Sequence, residues 1–253
     1  MSLLQALGFL TCLGGSRTPS RRASGWFPVV GLALGLALGG IWWGAHGIWP
    51  AAVAAVLVVV ADLVLTGMLH FDGLLDAADG LLAPMDRARR LAVMRDPHTG
   101  AFGVTAGAGV LLARWAALAA MAPRPLLLAG LWCASRSAMT VTLATVPYAR
   151  PEGGLASAFR GLRASGWRTA APWLGVGGIL IGVVLAAAQA HLGGVNVPYC
   201  RLSGAVSVVG AMVAFGAVIG LARRRLGGFT GDVLGAAGVM GETVGLLIAA
   251  ARW

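Results

Sequence analysis

His70, Asp72, Asp76 and Asp79 fall within one eleven-residue run, His-Phe-Asp-Gly-Leu-Leu-Asp-Ala-Ala-Asp-Gly, which closes at Gly80. On a helix, positions i, i+4 and i+7 occupy an arc of roughly 60°, so the three carboxylates share a face. Like charges this close repel one another. A hard divalent cation such as Mg²⁺, which takes one or two carboxylates together with water and phosphate oxygens, relieves that repulsion. Asp72 and Asp76 are the first candidate ligands and Asp79 the third. The plainer alternative is a solvated acidic helix end, against which stands the crowding of three of the chain's nine acidic residues into eight positions. His70, beside the stripe, could contact a phosphate, act as a base or be an ordinary interfacial histidine. Gly73 and Gly80 weaken a helix, which predicts either close approach of the backbone to a ligand or a break.

Downstream come Arg87, Arg89 and Arg90, then Arg95-Asp96-Pro97-His98 and a turn bounded by Gly100. Guanidinium forks bind phosphate bidentately and stay charged, so a basic segment following a metal site suits a diphosphate substrate. The first three arginines also fit a purely topological role, whereas Arg95 and Asp96 look like site architecture. Arg223 to Asp232 combines three cations, a Gly-Gly turn and an acid that either caps the next helix or joins the site.

These residues must be positioned by a membrane protein. The 253 residues are 58% apolar and only 11% charged, with a mean hydropathy of +0.83, outside the range of soluble domains. Segments near 26–45, 50–69, 103–121, 125–146, 171–191, 203–222 and 233–250 have the roughly 20 apolar residues a bilayer crossing needs. The fold class is therefore all-α: a polytopic membrane helical bundle of about seven spans, read as one domain over 1–253. Residues 3–15, too short to span, are expected to form an interfacial or re-entrant helix; no basic region precedes them as in a cleaved signal. Gly31, Gly35 and Gly39, at i, i+4 and i+8, suit close helix packing in lipid. Segment 155–168 reads either as an interfacial amphipathic helix or as a plain connector.

All nineteen basic residues other than histidine are arginines. If loop 16–25 is cytoplasmic, alternation through the spans places fourteen of them on that side and three on the other, with two inside spans. That bias orients the chain and puts the chemistry on the cytoplasmic side of its membrane. A nucleic-acid binder would concentrate its charge on a solvated domain, and here the arginines punctuate apolar runs. Cys12, Cys133 and Cys200 form neither a zinc motif nor a disulfide framework. Asp62, Arg114, Arg136 and Glu242 lie at a similar depth, roughly 12–17 Å from the cytoplasmic span ends. They either neutralise one another or line a substrate cavity.

The run from His70 to Gly80 resembles the H-x-D-G-L-x-D-x-x-D-G-like signature of the bacterial cobalamin synthases, the adenosylcobinamide-GDP ribazoletransferases of vitamin B12 assembly. Further blocks follow in order: Phe27-Pro28-Val29-Val30-Gly31, Arg89 to Gly103, Ser135-Arg136, Ala149 to Gly153, and Leu226 to Gly235. The resemblance covers nearly the whole chain, departing only in having arginine wherever the family uses lysine. It implies a Mg²⁺-dependent attack by α-ribazole, or its 5′-phosphate, on the cobinamide-linked phosphoryl group of adenosylcobinamide-GDP, with release of GMP. It implies metal binding by Asp72, Asp76 and Asp79 and phosphate contacts by Arg95, Arg136 and Arg150. Asp96, Asp232 and Glu242 would be supporting acids, and His70 or Asp79 the proton acceptor. Whether the chain forms a homo-oligomer or docks other enzymes of the pathway stays open.

Two other classes compete. CDP-alcohol phosphotransferases also place aspartates at a membrane face, but their longer signature ends in a G-x-x-x-D-x-x-x-D that is missing here. A transporter should show internal repeats or matching broken helices, and no convincing repeat is present. A purely structural subunit leaves the acidic stripe unexplained.

Overall fold

The computed structural model describes residues 2–15, 20–150, 167–192 and 198–251. Among these are ten α-helices and no β-strand. α1 (Ser2–Leu10) leads through two 3-10 turns into α2 (Phe27–His46), followed by α3 (Ala51–Leu65), α4 (Leu69–Leu82) and the short α5 (Arg87–Val93). Then come α6 (Ala101–Ala119), α7 (Pro125–Thr145), α8 (Trp167–Leu192), α9 (Pro198–Leu226) and α10 (Gly231–Ala250). Six stretches, in α2, α6, α7, α8, α9 and α10, are long and apolar enough to cross a membrane.

The expected span 50–69 takes a different form. α3 stops at Leu65, and α4 departs at 89° to it. The Thr66 hydroxyl donates back to the Asp62 carbonyl at 2.7 Å, and Gly67 and Met68 both adopt φ of 58°. A left-handed methionine ends right-handed propagation, so the apolar run breaks where composition alone would extend it. The segment expected at 3–15 is the helix α1 and a 3-10 turn, with Ala6 and Leu10 fully buried. Residues 155–166 of the expected amphipathic segment lie outside the described residues.

α7 is the central column, buried along almost its whole length. Without a hydrophobic drive between helices in lipid, close packing of small residues holds such a bundle. A Cβ at Gly31, Gly35 or Gly39 would lie 2.4–2.6 Å from the backbone of α7. The glycine stripe is thus the seam between α2 and α7. Gly130 of α7 and Gly182 of α8 meet in the same way, each within 2.6 Å of the other's carbonyl once a Cβ is added. Gly35→Leu should therefore wedge α2 off α7 and destabilise the fold by about 1–3 kcal/mol. Gly44→Ala, on the same helix with nothing within 4 Å of its Cβ, should be tolerated. Thermal unfolding in detergent compares them; equal melting temperatures would remove the seam's role.

Candidate active site

A close helix crossing brings the acids together. A Cβ at Gly73 of α4 would sit 2.8 Å from the Asp232 carbonyl oxygen, and one at Gly235 of α10 would sit 3.0 Å from the His70 Cα. Two glycines opposite one another let α4 lie directly on the first turns of α10. The close approach anticipated at Gly73 is thus to another helix backbone. At Gly80 it is to Met94, whose Cγ would be 2.3 Å from a Cβ, and α4 continues unbroken to Leu82.

Arg150 is delivered by a loop clamp. Ala149 N–H donates to the Phe229 carbonyl at 2.8 Å, and Phe229 N–H donates to the Pro147 carbonyl at 2.9 Å. The Tyr148 and Phe229 rings pack edge to face at 5.4 Å. Arg87 ties both sides down, donating to the Leu226 and Ala149 carbonyls at 2.8 and 3.2 Å. So held, Arg150 donates to the Asp232 carboxylate at 2.6 Å and to the Met94 carbonyl at 3.1 Å. Thr230, not Asp232, caps α10, its hydroxyl accepting from Val233 N–H at 3.2 Å. Asp232 is left to face Arg150.

The result is a cleft of about 210 Å³ lined on its polar side by His70, Asp72, Arg150 and Asp232, and on its apolar side by Phe9, Leu69, Met139, Tyr148 and Leu234. Asp72 is exposed and Asp76, one turn along, is half-buried. Asp76 lies within electrostatic reach of the Asp232 and Asp72 carboxylates and the Arg150 guanidinium. His70 is 6% exposed, and among the described residues its Nδ1 has no hydrogen-bond partner. Asp72 and Asp232 on the wall, with Asp76 close by, crowd around the single Arg150 guanidinium, and burial, followed by the Asp232 and Asp72 charges, raises the Asp76 carboxyl to about 7.

The remaining predicted residues are placed elsewhere. Asp79 points to the start of α6, where its carboxylate oxygens accept from Gly100 N–H at 2.7 Å and Gly103 N–H at 2.9 Å. It fills the role of an N-terminal cap supplied from another helix. Its position on the stripe gave no sign of this. Among the described residues no three His, Cys, Asp or Glu side chains converge closely enough to hold a metal ion. Asp96 turns to His98, at 2.7 Å from Nδ1; bonds from the His98 backbone N–H, and then from its ring, hold the Asp96 carboxyl below its usual range. Arg95, exposed, follows Met94 but does not line the cleft. Arg90 is buried and donates to the Gly80 and Leu81 carbonyls at 2.7 and 2.9 Å, closing the C-terminus of α4 as a cation should.

Arg136 and Glu242 belong to a closed ion cluster rather than to the cleft. Each is 1% exposed. Arg114 donates to Asp62 at 2.6 Å and to Glu242 at 2.7 Å, and Arg136 pairs with the other Glu242 oxygen. Thr243 and the Val239 carbonyl complete the Arg114 shell at 2.9 and 3.0 Å, and Trp132 Nε1 donates to Asp62 at 3.0 Å. Mutual neutralisation is therefore the arrangement of this polar layer.

If Asp79 is a cap, Asp79→Ala should strand two backbone N–H groups and lower stability by about 1–3 kcal/mol. That is a fall of several degrees in melting temperature for a chain of this size. An unchanged melting temperature would remove this role.

A family model described as cobalamin-5-phosphate synthase (CobS) matches residues 2–250. The chain belongs to this family. Among similar members of the cobalamin-5-phosphate synthase family are proteins named adenosylcobinamide-GDP ribazoletransferase. That of Chlorobaculum tepidum is 38% identical, over 98% of this chain and 94% of its own length. Those of Bradyrhizobium diazoefficiens and Pseudomonas paraeruginosa are 37% and 38% identical, over 97% and 93% of this chain and 92% and 91% of their own lengths. No solved structure matches. Membership in the cobalamin-5-phosphate synthase family displaces the transporter and CDP-alcohol phosphotransferase alternatives.

Proposed function

We propose that this chain joins adenosylcobinamide-GDP to α-ribazole, or to its 5′-phosphate, with loss of GMP, at the cytoplasmic face of a bacterial inner membrane. The observation that carries the reading is the cleft in which His70, Asp72, Arg150 and Asp232 face one another, in a chain of this family. The cytoplasmic placement rests on the arginine bias, because the cleft residue Arg150 reaches the Met94 carbonyl beside Arg95 and its clamp is tied down by Arg87.

A magnesium ion fits this donor set. Asp72 and Asp76 offer hard oxygens from successive turns, Asp232 lies within reach, and the crowding of carboxylates disfavours leaving the site without a cation. Mg²⁺ takes one or two carboxylates and completes its shell with water and phosphate. Asp72 and Asp76 would hold it, and when bound it supplies charge neutralisation at a diphosphate.

The chain's own residues account for the remainder. In the transfer, a ring hydroxyl oxygen of the ribose, free in both α-ribazole and its 5′-phosphate, forms a bond to the cobinamide-linked phosphorus, and the bond from that phosphorus to the bridging oxygen of the diphosphate breaks, releasing GMP. Arg150, held by Asp232 and the Met94 carbonyl, presents a fixed cation to the phosphate oxygens, so little reorganisation is needed as charge develops. Phe9, Tyr148 and Met139 form an apolar wall that excludes water. His70 is the proton acceptor this reading favours: burial, then the Arg136 and Arg114 guanidiniums, hold its imidazole neutral, and its Nδ1 has no partner among the described residues; Asp79 is unsuited, because both its oxygens already accept backbone hydrogens. His70→Gln should lower kcat about 10²–10⁴-fold; wild-type kcat in that variant would exclude the imidazole as base. Purified protein given adenosylcobinamide-GDP, α-ribazole and Mg²⁺ should yield GMP and adenosylcobalamin together. Corrinoid product without α-ribazole, or no GMP at all, would refute the assignment.

A further inference from the structure

The opposite side of α4 borders a second space. Leu74, Ala77, Ala78 and Leu81 recur at i, i+3, i+4 and i+7 and line a crevice of about 410 Å³ bounded by α4, α6, α9 and α10. Thr243 is the sole polar side chain on its wall, and its hydroxyl is bonded to the Val239 carbonyl at 2.6 Å and to Arg114. Along α10 the lining runs from Ala236 to Leu247, about 16 Å at 1.5 Å per residue. That is half of a hydrocarbon core roughly 30 Å thick, the depth of one leaflet.

One end is cationic. Val218, Leu221 and Arg225 fall at i, i+3 and i+7 of α9, so the stripe that lines the crevice continues into a guanidinium. Arg225 is exposed and donates through Nη1 to the carbonyl of Leu81, itself a lining residue. Exposed Arg223 and Arg224 stand beside it. A slot one leaflet deep, apolar along its length and cationic at its mouth, complements an amphiphile with one buried chain and an anionic head.

We propose that this crevice binds an acyl chain of an anionic phospholipid, with the headgroup phosphate on Arg225. The lipid then braces the apolar face of α4, the helix whose other face carries Asp72 and Asp76. The site stands independently of the chemistry proposed for the cleft, and its test reads lipid rather than turnover.

Native mass spectrometry of the full chain in neutral detergent, titrated with phosphatidylglycerol or phosphatidylcholine, measures it. Wild type should retain phosphatidylglycerol in preference to phosphatidylcholine. Gly109→Leu fills the crevice at a lining position whose Cβ has nothing within 4 Å, and should lower retention of both lipids about tenfold. Ala113→Phe serves if that variant is poorly made. Arg225→Gln should erase the preference, about fivefold for one surface cation, while leaving binding of phosphatidylcholine. Equal lipid loads in wild type and the filled variants overturn the proposal. So does a wild-type dimer that Gly109→Leu converts to monomer with lipid unchanged, since a second copy would then occupy the crevice.

Discussion

Asp76→Ala should leave a folded, inserted protein that turns over at least about a thousandfold more slowly, as expected when a metal-holding or charge-stabilising group is removed. The structural cost is expected to be small. Asp76 is half-buried, and no ion pair or hydrogen bond from its side chain is among those that hold the fold described above. Its surroundings are dominated by other carboxylates, Asp232 and Asp72, so removing it relieves repulsion within the protein alone. Asp72→Ala should behave similarly. Rate and melting temperature should therefore separate at these positions. Near-normal turnover in Asp76→Ala would contradict the assignment of the acidic face to catalysis.

Glu242→Ala should do the reverse, with failure appearing at the level of the fold. The Glu242 carboxylate bridges two guanidinium groups, Arg114 and Arg136, and is the partner of Arg136 in a space where both arginines are almost fully enclosed. Removing one member of a buried pair leaves uncompensated charge and costs about 3–5 kcal/mol, a large part of a typical stability. The expected result is little monodisperse protein. Replacing Arg136 and Glu242 together by methionine should recover much of the loss, because Arg114 keeps Asp62 at 2.6 Å and a matched apolar pair is often neutral. Size-exclusion profiles of the single and double variants measure the coupling. A well-folded, inactive Glu242→Ala would instead place Glu242 in the reaction.

The sequence disclosed the order of the six long hydrophobic helices, the glycine seam on α2 and the sharing of one layer by four buried charges, because each follows from periodicity or length along one element; it read the broken segment at 50–69 as one continuous span. It was less informative wherever a second element decides. Periodicity puts Asp79 on the same face as Asp72 and Asp76, yet the start of α6 at Gly100 and Gly103 reaches Asp79 alone. Depth places Arg136 and Glu242 in one layer without revealing that they pair there. Phe9 and Tyr148 carry no local signal; one arrives on the N-terminal helix and the other through the clamp between loops 147–149 and 226–230. The break after α3 depends on two residues at positive φ, and Met68 gives no compositional warning of such a conformation.

The central claim is that Asp72 and Asp76 hold a divalent cation beside a diphosphate. Electron paramagnetic resonance of Mn²⁺ added to the purified protein with GDP tests it most directly. A bound, Mg²⁺-displaceable signal is predicted in wild type and should be lost in the Asp72→Asn, Asp76→Asn double variant while the melting temperature is kept. An undiminished signal in that double variant, or no bound Mn²⁺ in wild type, would contradict the account.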